Sequence, residues 1–386
     1  MSTLVHCVPV KPGAVADTDP LIFVNPARRR AGAEPAASAP RAFHRRLPGY
    51  APTRVVEAPG IASELGLEAV WVKDESRRLG LPSFKILGAS WAAYRLLVGR
   101  LGSEPEWQDL ADLRAALEPL GPLTLVAATD GNHGRAVARM ARLLGYGAEI
   151  LVPAGTAAAR IDGIASEGAR VRVIEGTYDD AVRASAAMAR DDVLVVSDTS
   201  WDGYTDVPRD VIAGYDTILV EVDEQLGDAH VPARPDLVVV PMGVGALTAA
   251  VVKHCAATAM IVTVEPLSAA CGLRSAEAGE PAYVPGPHDS IMAGLNCGTV
   301  SLIAWPVVAA GVDVFAAIGD AAAERAMREL ATVGVVAGET GAASLAGLRA
   351  VLASGAIDPR GKRALVLCTE GATDPVAYER IVGRAP

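Results

Sequence analysis

The sequence predicts an α/β protein of two doubly wound domains with mainly parallel sheets. Short apolar runs with strand character alternate with segments in which apolar residues recur at helical spacing, from about residue 55 to the end of the chain. This alternation is typical of strand–helix–strand crossovers in a parallel sheet. The 386 residues are 51% hydrophobic, which is enough to bury more than one core.

The composition excludes several classes of protein. A net charge of −10 argues against a nucleic-acid-binding protein, which needs a basic stripe, and against binding to an anionic membrane. No apolar run approaches the roughly 18 residues of a membrane helix, and the first residues lack an export signal, so we expect a cytoplasmic protein. The five cysteines show neither CxxC nor Cys/His spacing. We therefore predict neither a disulfide framework nor a metal site.

The first 50 residues are rich in proline and arginine and have little periodicity. We expect an extended arm or a short helix there, which cannot form a core of its own and packs on a partner subunit. Beyond this arm, strands are predicted at residues 69–73, 123–128, 149–153, 170–175, 193–197, 236–241 and 364–367. Helices are predicted at 61–67, from 86, from 136 to 144, and at 157–167, 178–190 and 248–257.

Lys85 lies at the centre of the segment 80–88, around which the other motifs are organised. Pro82 cannot lie inside a regular ladder, and a helical apolar pattern begins at Ile86, so Lys85 is expected at a loop-to-helix junction. Its apolar neighbours should desolvate the amine partly, favouring the neutral, nucleophilic form that reacts with an aldehyde cofactor. The alternative is a surface lysine whose stem covers apolar residues.

The hexapeptide 129–134 connects a predicted buried strand to a predicted helix. Free backbone N–H groups and the positive end of the helix dipole make such a turn an anion-binding location, and its two glycines allow a ligand to approach. The alternative is a solvated turn in which Asp130 or Asn132 caps the helix.

Three more polar turns follow predicted strands. Asp198 comes after the strand 193–197, at the edge of a parallel sheet where ligands bind, although it could instead cap the next turn. The small-residue turn 242–247 precedes a helix and could hold one phosphate. The turn 368–374 again follows a strand. Together with Lys85 and the turn 129–134, these segments should converge on one rim of the sheets.

Six short strings in this order resemble those of the diaminopropionate ammonia-lyase family, which has the pyridoxal phosphate (PLP)-dependent fold type II of tryptophan synthase beta. The resemblance covers nearly all of the chain from about Phe43 onward. The strings are K-D-E-S-x-R-x-G-L-x-x-F-K-x-L-G-A, A-T-D-G-N-H-G, D-T-x-W-x-G-Y, G-V-G-A, I-M-A-G-L-x-C-G and T-E-G-x-T-D-P.

The resemblance implies a large PLP-binding domain of residues 1–88 and 205–386 and a small domain of residues 89–204 that covers the substrate and cofactor. Lys85, beside Phe84, would hold the cofactor covalently, and Asn132 would contact its 3-hydroxyl. The implied phosphate-binding residues are Gly243, Val244, Gly245, Ala246 and Leu247. Either Cys368 or Thr369 would face the pyridine nitrogen. A neutral partner there weakens the electron sink and favours prompt loss of a β-leaving group.

The resemblance also implies a reaction, the elimination of ammonia from 2,3-diaminopropionate to give pyruvate and a second ammonia. Asp130 would remove the α-proton of the D-enantiomer and Asp198 that of the L-enantiomer, so that each face of the substrate has its own base. The implied substrate-binding residues are Ala128, Thr129, Asp130 and His133.

Two departures from the family pattern lie near the implied pocket, in Ser76-Arg77-Arg78-Leu79 and in Cys-Thr-Glu-Gly-Ala at 368–372. They leave open another β-eliminating or β-replacing enzyme, such as a serine, threonine or hydroxyaspartate dehydratase. A non-catalytic PLP-binding protein is a third reading, against which the pair of carboxylates argues. Cys271 and Cys297 fall where the family has a cysteine pair, so either a redox-sensitive bridge or two buried thiols is expected.

Overall fold

A computed structural model of the chain describes residues 8–9, 19–29, 38–227 and 234–386. The predictions for Cys7 and for much of the N-terminal arm lie outside these residues. The strands are β1 (Val8–Pro9), β2 (Leu21–Val24), β3 (Val55–Glu57), β4 (Ala69–Asp74), β5 (Thr124–Ala128), β6 (Gly147–Pro153), β7 (Arg170–Ile174), β8 (Val193–Val195), β9 (Leu237–Pro241), β10 (Met260–Pro266), β11 (Ala282–Tyr283), β12 (Val314–Ile318) and β13 (Arg363–Cys368).

The described helices surround these strands. They are α1 (Ser38–His44), α2 (Pro59–Leu65), α3 (Lys85–Leu101), α4 (Leu110–Leu117), α5 (Asn132–Leu144), α6 (Ala158–Ala165), α7 (Tyr178–Ala186), α8 (Asp206–Gly214), α9 (Asp216–Gly227), α10 (Ala246–Cys255), α11 (Cys271–Ala278), α12 (Trp305–Gly311), α13 (Asp320–Thr332), α14 (Glu339–Ala353) and α15 (Pro375–Val382). None of the helices in the described residues is long and apolar enough to cross a membrane.

The larger sheet has the strand order β2-β12-β10-β9-β13-β4-β3 in the described residues. Its inner strands pair in parallel, whereas β2 and β3 pair antiparallel at the two edges. The inner strand β9 is buried along its whole length, as expected for a parallel strand covered by helices on both faces. The prediction of a mainly parallel sheet is confirmed, but the sequence did not predict the antiparallel edges.

The smaller sheet has the order β7-β6-β5-β8, and all three of its pairings are parallel. Its strands lie within residues 89–204, and the larger sheet lies outside that range. The division of the chain into domains at these bounds stays a prediction. Because β5 and β8 are neighbours, the turns that follow them are brought close together.

Several predicted bounds differ from the structure by two to four residues, for local reasons. The strand predicted to reach Ser197 ends at Val195 because the Ser197 amide donates to the Tyr204 hydroxyl (3.0 Å) instead of to a neighbouring strand. The helix predicted from residue 248 begins at Ala246, directly after Gly245, whose φ of 96° favours glycine.

The described parts of the N-terminal arm pack on their own chain. Strand β2 pairs with β12, and the side chain of Phe43 in α1 stacks on Tyr94 with a distance of 4.7 Å between ring centroids. Phe43 also contacts Trp91 and Trp107 in T-shaped arrangements, with the edge of one ring towards the face of the other. The packing of the arm on a partner subunit stays a prediction.

A buried cluster of four charged side chains fixes the loop that leads to Lys85. Arg78 contacts Glu75 (2.6 Å) and Glu221 (2.7 Å), and Lys73 contacts the other oxygen of Glu221 (2.9 Å). All four side chains are at most 1% exposed, and the two cations balance the two anions. Since removing one partner from such a pair costs about 3 to 5 kcal/mol, the cluster holds residues 73–78 firmly in place.

Candidate active site

A cavity lies where the carboxyl ends of strands from both sheets face each other. Its walls come from the segments that follow β4, β5, β8, β9 and β13. This is the expected ligand-binding edge of parallel sheets. The predicted site residues that line it are Phe84, Lys85, Thr129, Asp130, Asn132, His133, Asp198, Gly243, Val244, Gly245, Ala246, Leu247 and Thr369. The structure therefore brings together the segments that the sequence placed on one rim.

Lys85 is the first residue of α3, and the turn before it is held from both sides. The Phe84 amide donates to the Thr369 carbonyl (3.2 Å), and the Gly371 amide donates to the Pro82 carbonyl (2.9 Å). The Lys85 amine donates to Asp198 Oδ2 at 2.6 Å, and the side chain is 19% exposed. The predicted loop-to-helix junction is confirmed, because the helix begins at Lys85.

The expectation that apolar neighbours keep the Lys85 amine neutral is wrong for this arrangement. Burial does act to lower the pKa of Lys85, but the negative charge of Asp198 outweighs it and raises the pKa above its usual value. The amine is therefore a charged ammonium paired with a carboxylate. The sequence could not show this, because Asp198 lies 113 residues away in the chain.

Asp198 is held in its ionised form by its neighbours. Burial acts to raise its pKa, but the charge of Lys85 and hydrogen bonds from Lys85 and Tyr178 bring the pKa well below its usual range. The Tyr178 hydroxyl donates to Asp198 Oδ1 (3.0 Å), and His133 Nδ1 lies 3.9 Å from Asp198 Oδ2. Burial lowers the pKa of His133, which favours a neutral ring. Asp198 is thus bound inside the cavity and does not serve as a cap.

The turn after β5 is largely buried. Thr129 Oγ1 accepts from the Gly131 amide (2.9 Å), and α5 begins at Asn132 without any side-chain cap, so the alternative of a solvated capping turn is wrong. Burial raises the pKa of Asp130 to about 6 against the attraction of nearby cations. Asp130 and Asp198, which line the same cavity, therefore differ in how readily they ionise.

Glu370 is a site residue that the sequence reasoning did not select. It is 1% exposed, it accepts hydrogen bonds from the Asn132 side chain and from the Thr340 amide (3.2 Å), and it lines the cavity. One carboxylate therefore joins the turn after β5 to the start of α14. The string T-E-G contained this residue, but nothing in the string distinguishes a bridging glutamate from a solvated one.

The turn that precedes α10 has the shape of a cradle for a phosphate. Gly245 has a φ of 96°, and a Cβ on Gly243 would lie 3.2 Å from both Cys297 Sγ and the Gly294 carbonyl oxygen. A helix N-terminus with free N–H groups and no side chain in the way binds anions well. Thr248, in the first turn of α10, has a buried hydroxyl without a hydrogen-bond partner among the described residues.

The two candidates for the pyridine nitrogen lie in different places. Thr369 lines the cavity, and its hydroxyl is buried without a partner in the described part of the chain. Cys368 is 1% exposed and packs in the hydrophobic core on the other face of the larger sheet, where its Sγ contacts the Glu370 carbonyl oxygen (3.6 Å). Of the substrate-binding candidates, Ala128 is the last residue of β5 and lies outside the cavity wall.

Cys271 and Cys297 are both buried free thiols in this structure. Cys297 lines the cavity, and Cys271 Sγ contacts the Gly243 carbonyl oxygen at 3.8 Å, so both lie against the cradle. Burial raises the pKa of both thiols above its usual value, which keeps them protonated and weakly nucleophilic.

The side chains in this cavity fit pyridoxal phosphate. Lys85 can bind an aldehyde once its ammonium group loses a proton, and a glycine-rich helix start can hold a phosphate. Two buried hydroxyls, those of Thr248 and Thr369, lack partners in the described residues. An orphaned buried hydroxyl is costly unless a ligand completes its hydrogen bonds. Lys85, residues 243–248 and Thr369 are the groups that would hold the cofactor.

Comparisons with known proteins agree with this chemistry. Residues 46–370 match the model of the pyridoxal-phosphate dependent enzyme family. Diaminopropionate ammonia-lyase of Salmonella typhimurium is 34% identical over 365 residues, covering 88% of this chain and 90% of that protein.

Solved structures of diaminopropionate ammonia lyase also resemble this chain. The crystal structure of Escherichia coli diaminopropionate ammonia lyase in complex with D-serine superposes with a TM-score of 0.86 at 31% identity, covering 96% of this chain and 98% of that chain. The structure of the E. coli enzyme with an aminoacrylate-PLP azomethine reaction intermediate gives 0.84 at 31% identity, over 95% and 97% of the two chains. The chain therefore belongs to the pyridoxal-phosphate dependent enzymes and, within them, to the diaminopropionate ammonia-lyase family.

Proposed function

We propose that this protein eliminates ammonia from D- and L-2,3-diaminopropionate with pyridoxal 5'-phosphate as cofactor. One molecule of substrate and one of water give one pyruvate and two ammonia. The observation that carries the proposal is that two carboxylates, Asp130 and Asp198, line the same cavity as Lys85, the one lysine among the described residues of its wall. A protein that merely binds the cofactor needs no such pair of bases.

The chain's own residues divide the work of this reaction. Pyridoxal phosphate, when bound, withdraws electrons from the α-carbon of an amino acid and so makes its α-proton easier to remove. The backbone N–H groups of residues 243–247 would hold the phosphate, and Asn132, fixed by Glu370, would contact the cofactor's 3-hydroxyl. Asp130 or Asp198 accepts the α-proton, according to the enantiomer. The β-amino group then leaves as the first ammonia.

The substrate's carboxylate has a natural place at the start of α5. The Thr129 hydroxyl and the backbone N–H groups of Asn132 and His133 lie close to Asp130, at the positive end of the helix dipole. An α-carboxylate bound there would bring the neighbouring α-carbon close to Asp130. His133, buried and held neutral, adds bulk and no charge to this wall.

The stoichiometry of the products distinguishes diaminopropionate from the alternative substrates. We expect D- and L-2,3-diaminopropionate to give two ammonia per pyruvate, because both nitrogens are released. Serine, which loses water in place of the first ammonia, gives one. The measurement is the release of pyruvate and ammonia from a panel of both enantiomers of diaminopropionate, serine, threonine and hydroxyaspartate.

D-serine is the control within this panel, because it lacks the second amine of diaminopropionate. It is also the ligand in the E. coli structure. A faster release of 2-oxo acid from threonine or hydroxyaspartate than from diaminopropionate would contradict the proposed substrate and favour a dehydratase. Release of no 2-oxo acid from any amino acid by yellow, cofactor-loaded protein would favour a non-catalytic PLP-binding protein.

We further propose that the protein works in the cytoplasm, as the first residues suggest, and that it forms a homodimer, as enzymes of this fold commonly do. Sedimentation at micromolar concentration should give twice the mass of one chain. A monomer under these conditions would contradict the dimer and leave the proposed reaction untouched.

A further inference from the structure

Arg160 occupies an unusual place behind the turn after β5. It lies in the first turn of α6, its side chain is 6% exposed, and its stem packs over Gly131 so closely that a Cβ there would lie 3.2 Å from Arg160 Cδ. Its Nη2 lies 3.7 Å from Glu370 Oε1, whereas its buried Nη1 has no partner among the described residues. No role was predicted for this arginine from the sequence.

A second cleft adjoins the cavity, and Arg160 and Asp130 both line it. Asp130 belongs to the walls of both spaces, so it stands between the cavity and the cleft. Glu339 and Asp374 line the cleft too. Arg160 is therefore the buried cation on the outer side of Asp130, just as Lys85 is the cation on the inner side.

We propose that Arg160 is a positioning residue for Asp130, which it holds in the ionised form that can accept the substrate's α-proton. The inference rests on the proposed function, because it assigns Arg160 to the base that serves one enantiomer. The stem of Arg160 packs on Gly131, the residue after Asp130, its guanidinium lies near the Glu370 carboxylate, and Arg160 and Asp130 line the same cleft.

The charges around Asp130 explain why a cation is needed there. Burial disfavours its carboxylate, and the charges of Asp198 and Glu370 act in the same direction, whereas those of Arg160 and Lys85 oppose it. Lys85, however, pairs directly with Asp198. The other titratable or charged residues that line the cavity or the cleft together with Asp130 are His133, Tyr178, Cys297, His288, Asp289, Glu339, Asp374 and Arg380.

Replacing Arg160 by a neutral residue should therefore raise the pKa of Asp130. Loss of one opposite charge at close range shifts a carboxyl group by about 1 to 3 pH units. In Arg160→Met, whose stem still packs on Gly131, the acidic limb of kcat/KM for the enantiomer served by Asp130 should move upward by that amount. At pH 7 this means a loss of about 2- to 90-fold for that enantiomer, depending on the size of the shift, with recovery as the pH rises.

A second measurement does not depend on activity. The Asp130 carboxyl group can be titrated by ¹³C NMR in holoenzyme labelled at the aspartate γ-carbons, with Asp130→Asn used to assign the signal. We expect the midpoint to rise in Arg160→Met and in Arg160→Gln, a second neutral variant of different shape, and to return most of the way in Arg160→Lys. Arg142→Gln, which loses an exposed arginine paired with Glu167, is the matched control and should leave the midpoint unchanged.

The outcomes separate this inference from the proposed function. An Asp130 midpoint that is the same in both neutral variants as in the wild type would overturn the role of Arg160, whatever the substrate. A rise in KM for both enantiomers with an unmoved acidic limb would overturn it as well, and would indicate that Arg160 binds the substrate carboxylate. If no diaminopropionate is turned over while the NMR midpoint moves as expected, the proposed function fails and the inference about Asp130 stands.

Discussion

Replacing Lys85 by alanine should reduce kcat/KM for diaminopropionate by about 10⁴-fold or more and leave the protein without covalently held cofactor. The loss should exceed the 10²- to 10⁴-fold that is typical of a missing general base, because Lys85 is also the group that binds the cofactor's aldehyde. Reduction of the wild-type holoenzyme with borohydride, followed by peptide mapping, should place the label on Lys85. The chain has five lysines, so few peptides can carry the label.

The structure makes the other described lysines poor candidates for this label. The Lys73 amine is fully buried and paired with Glu221, and neither Lys253 nor Lys362 lines the cavity. Lys362→Ala is therefore a suitable control and should keep both the yellow colour and the activity. Lys85→Arg keeps a cation beside Asp198 and tests whether the loss in Lys85→Ala comes from the missing charge alone. Label on Lys73 or Lys253, or full activity in Lys85→Ala, would contradict the assignment.

Local pattern was sufficient to predict the main parts of the site. The alternation of strands and helices predicts parallel sheets, and in parallel sheets the polar turns after the strands must lie on one rim. For this reason Lys85, the turn 129–134, Asp198 and the turn 242–247 could be placed together from sequence, and the structure has them around one cavity.

Contacts between distant segments could not be predicted in the same way. Glu370 accepts a hydrogen bond from Asn132, which lies 238 residues away in the chain. Tyr178, the first residue of α7, donates to Asp198, which follows β8. Nothing near Tyr178 or Arg160 in the sequence differs from an ordinary helix start, so only the tertiary arrangement shows Tyr178 bonded to Asp198 and Arg160 in the same cleft as Asp130. The charge state of Lys85 depends on such a distant contact as well, which is why apolar neighbours alone gave the wrong expectation.

The same limit applies to choices between adjacent residues. Cys368 and Thr369 both follow the last parallel strand, and successive side chains of a strand point to opposite faces of the sheet. The one-residue difference decides which of them reaches the cavity. Cys368, the last residue of β13, packs in the core, and Thr369, the next residue, lines the cavity. The sequence alone shows that successive side chains alternate between the two faces of the sheet, but not which of them lie on the cavity side.

Asp130→Asn and Asp198→Asn should each suppress turnover of a different enantiomer of 2,3-diaminopropionate. The two carboxylates follow the strands β5 and β8 and line one cavity, so both can reach the α-carbon of a substrate bound there. We assign Asp130 to the D-enantiomer and Asp198 to the L-enantiomer, as the family resemblance implies. Loss of the matching base should lower kcat/KM by about 10²- to 10⁴-fold, and the other enantiomer should keep most of its rate.

The two bases should also differ in their response to pH. The pKa of Asp130 is raised to about 6 by burial, so its carboxylate is lost as the pH falls through 6 and turnover of the D-enantiomer should fall with it. The pKa of Asp198 is brought well below its usual range by Lys85 and Tyr178, so its carboxylate persists at pH 5. The acidic limb for the L-enantiomer should therefore lie at lower pH than that for the D-enantiomer.

The measurement is kcat/KM for both enantiomers, from pH 5 to 9, in the wild type and in both variants. Cofactor absorbance must be followed in each protein, because Asp198→Asn removes the partner of Lys85 and lost cofactor would imitate lost proton transfer. Lys85 itself can act as a base once its amine is free, which would blunt either loss but would not exchange the enantiomers. Equal losses on both enantiomers in both variants, with the cofactor retained, would mean that Asp130 and Asp198 position the substrate and that the two-sided proton transfer has to be abandoned.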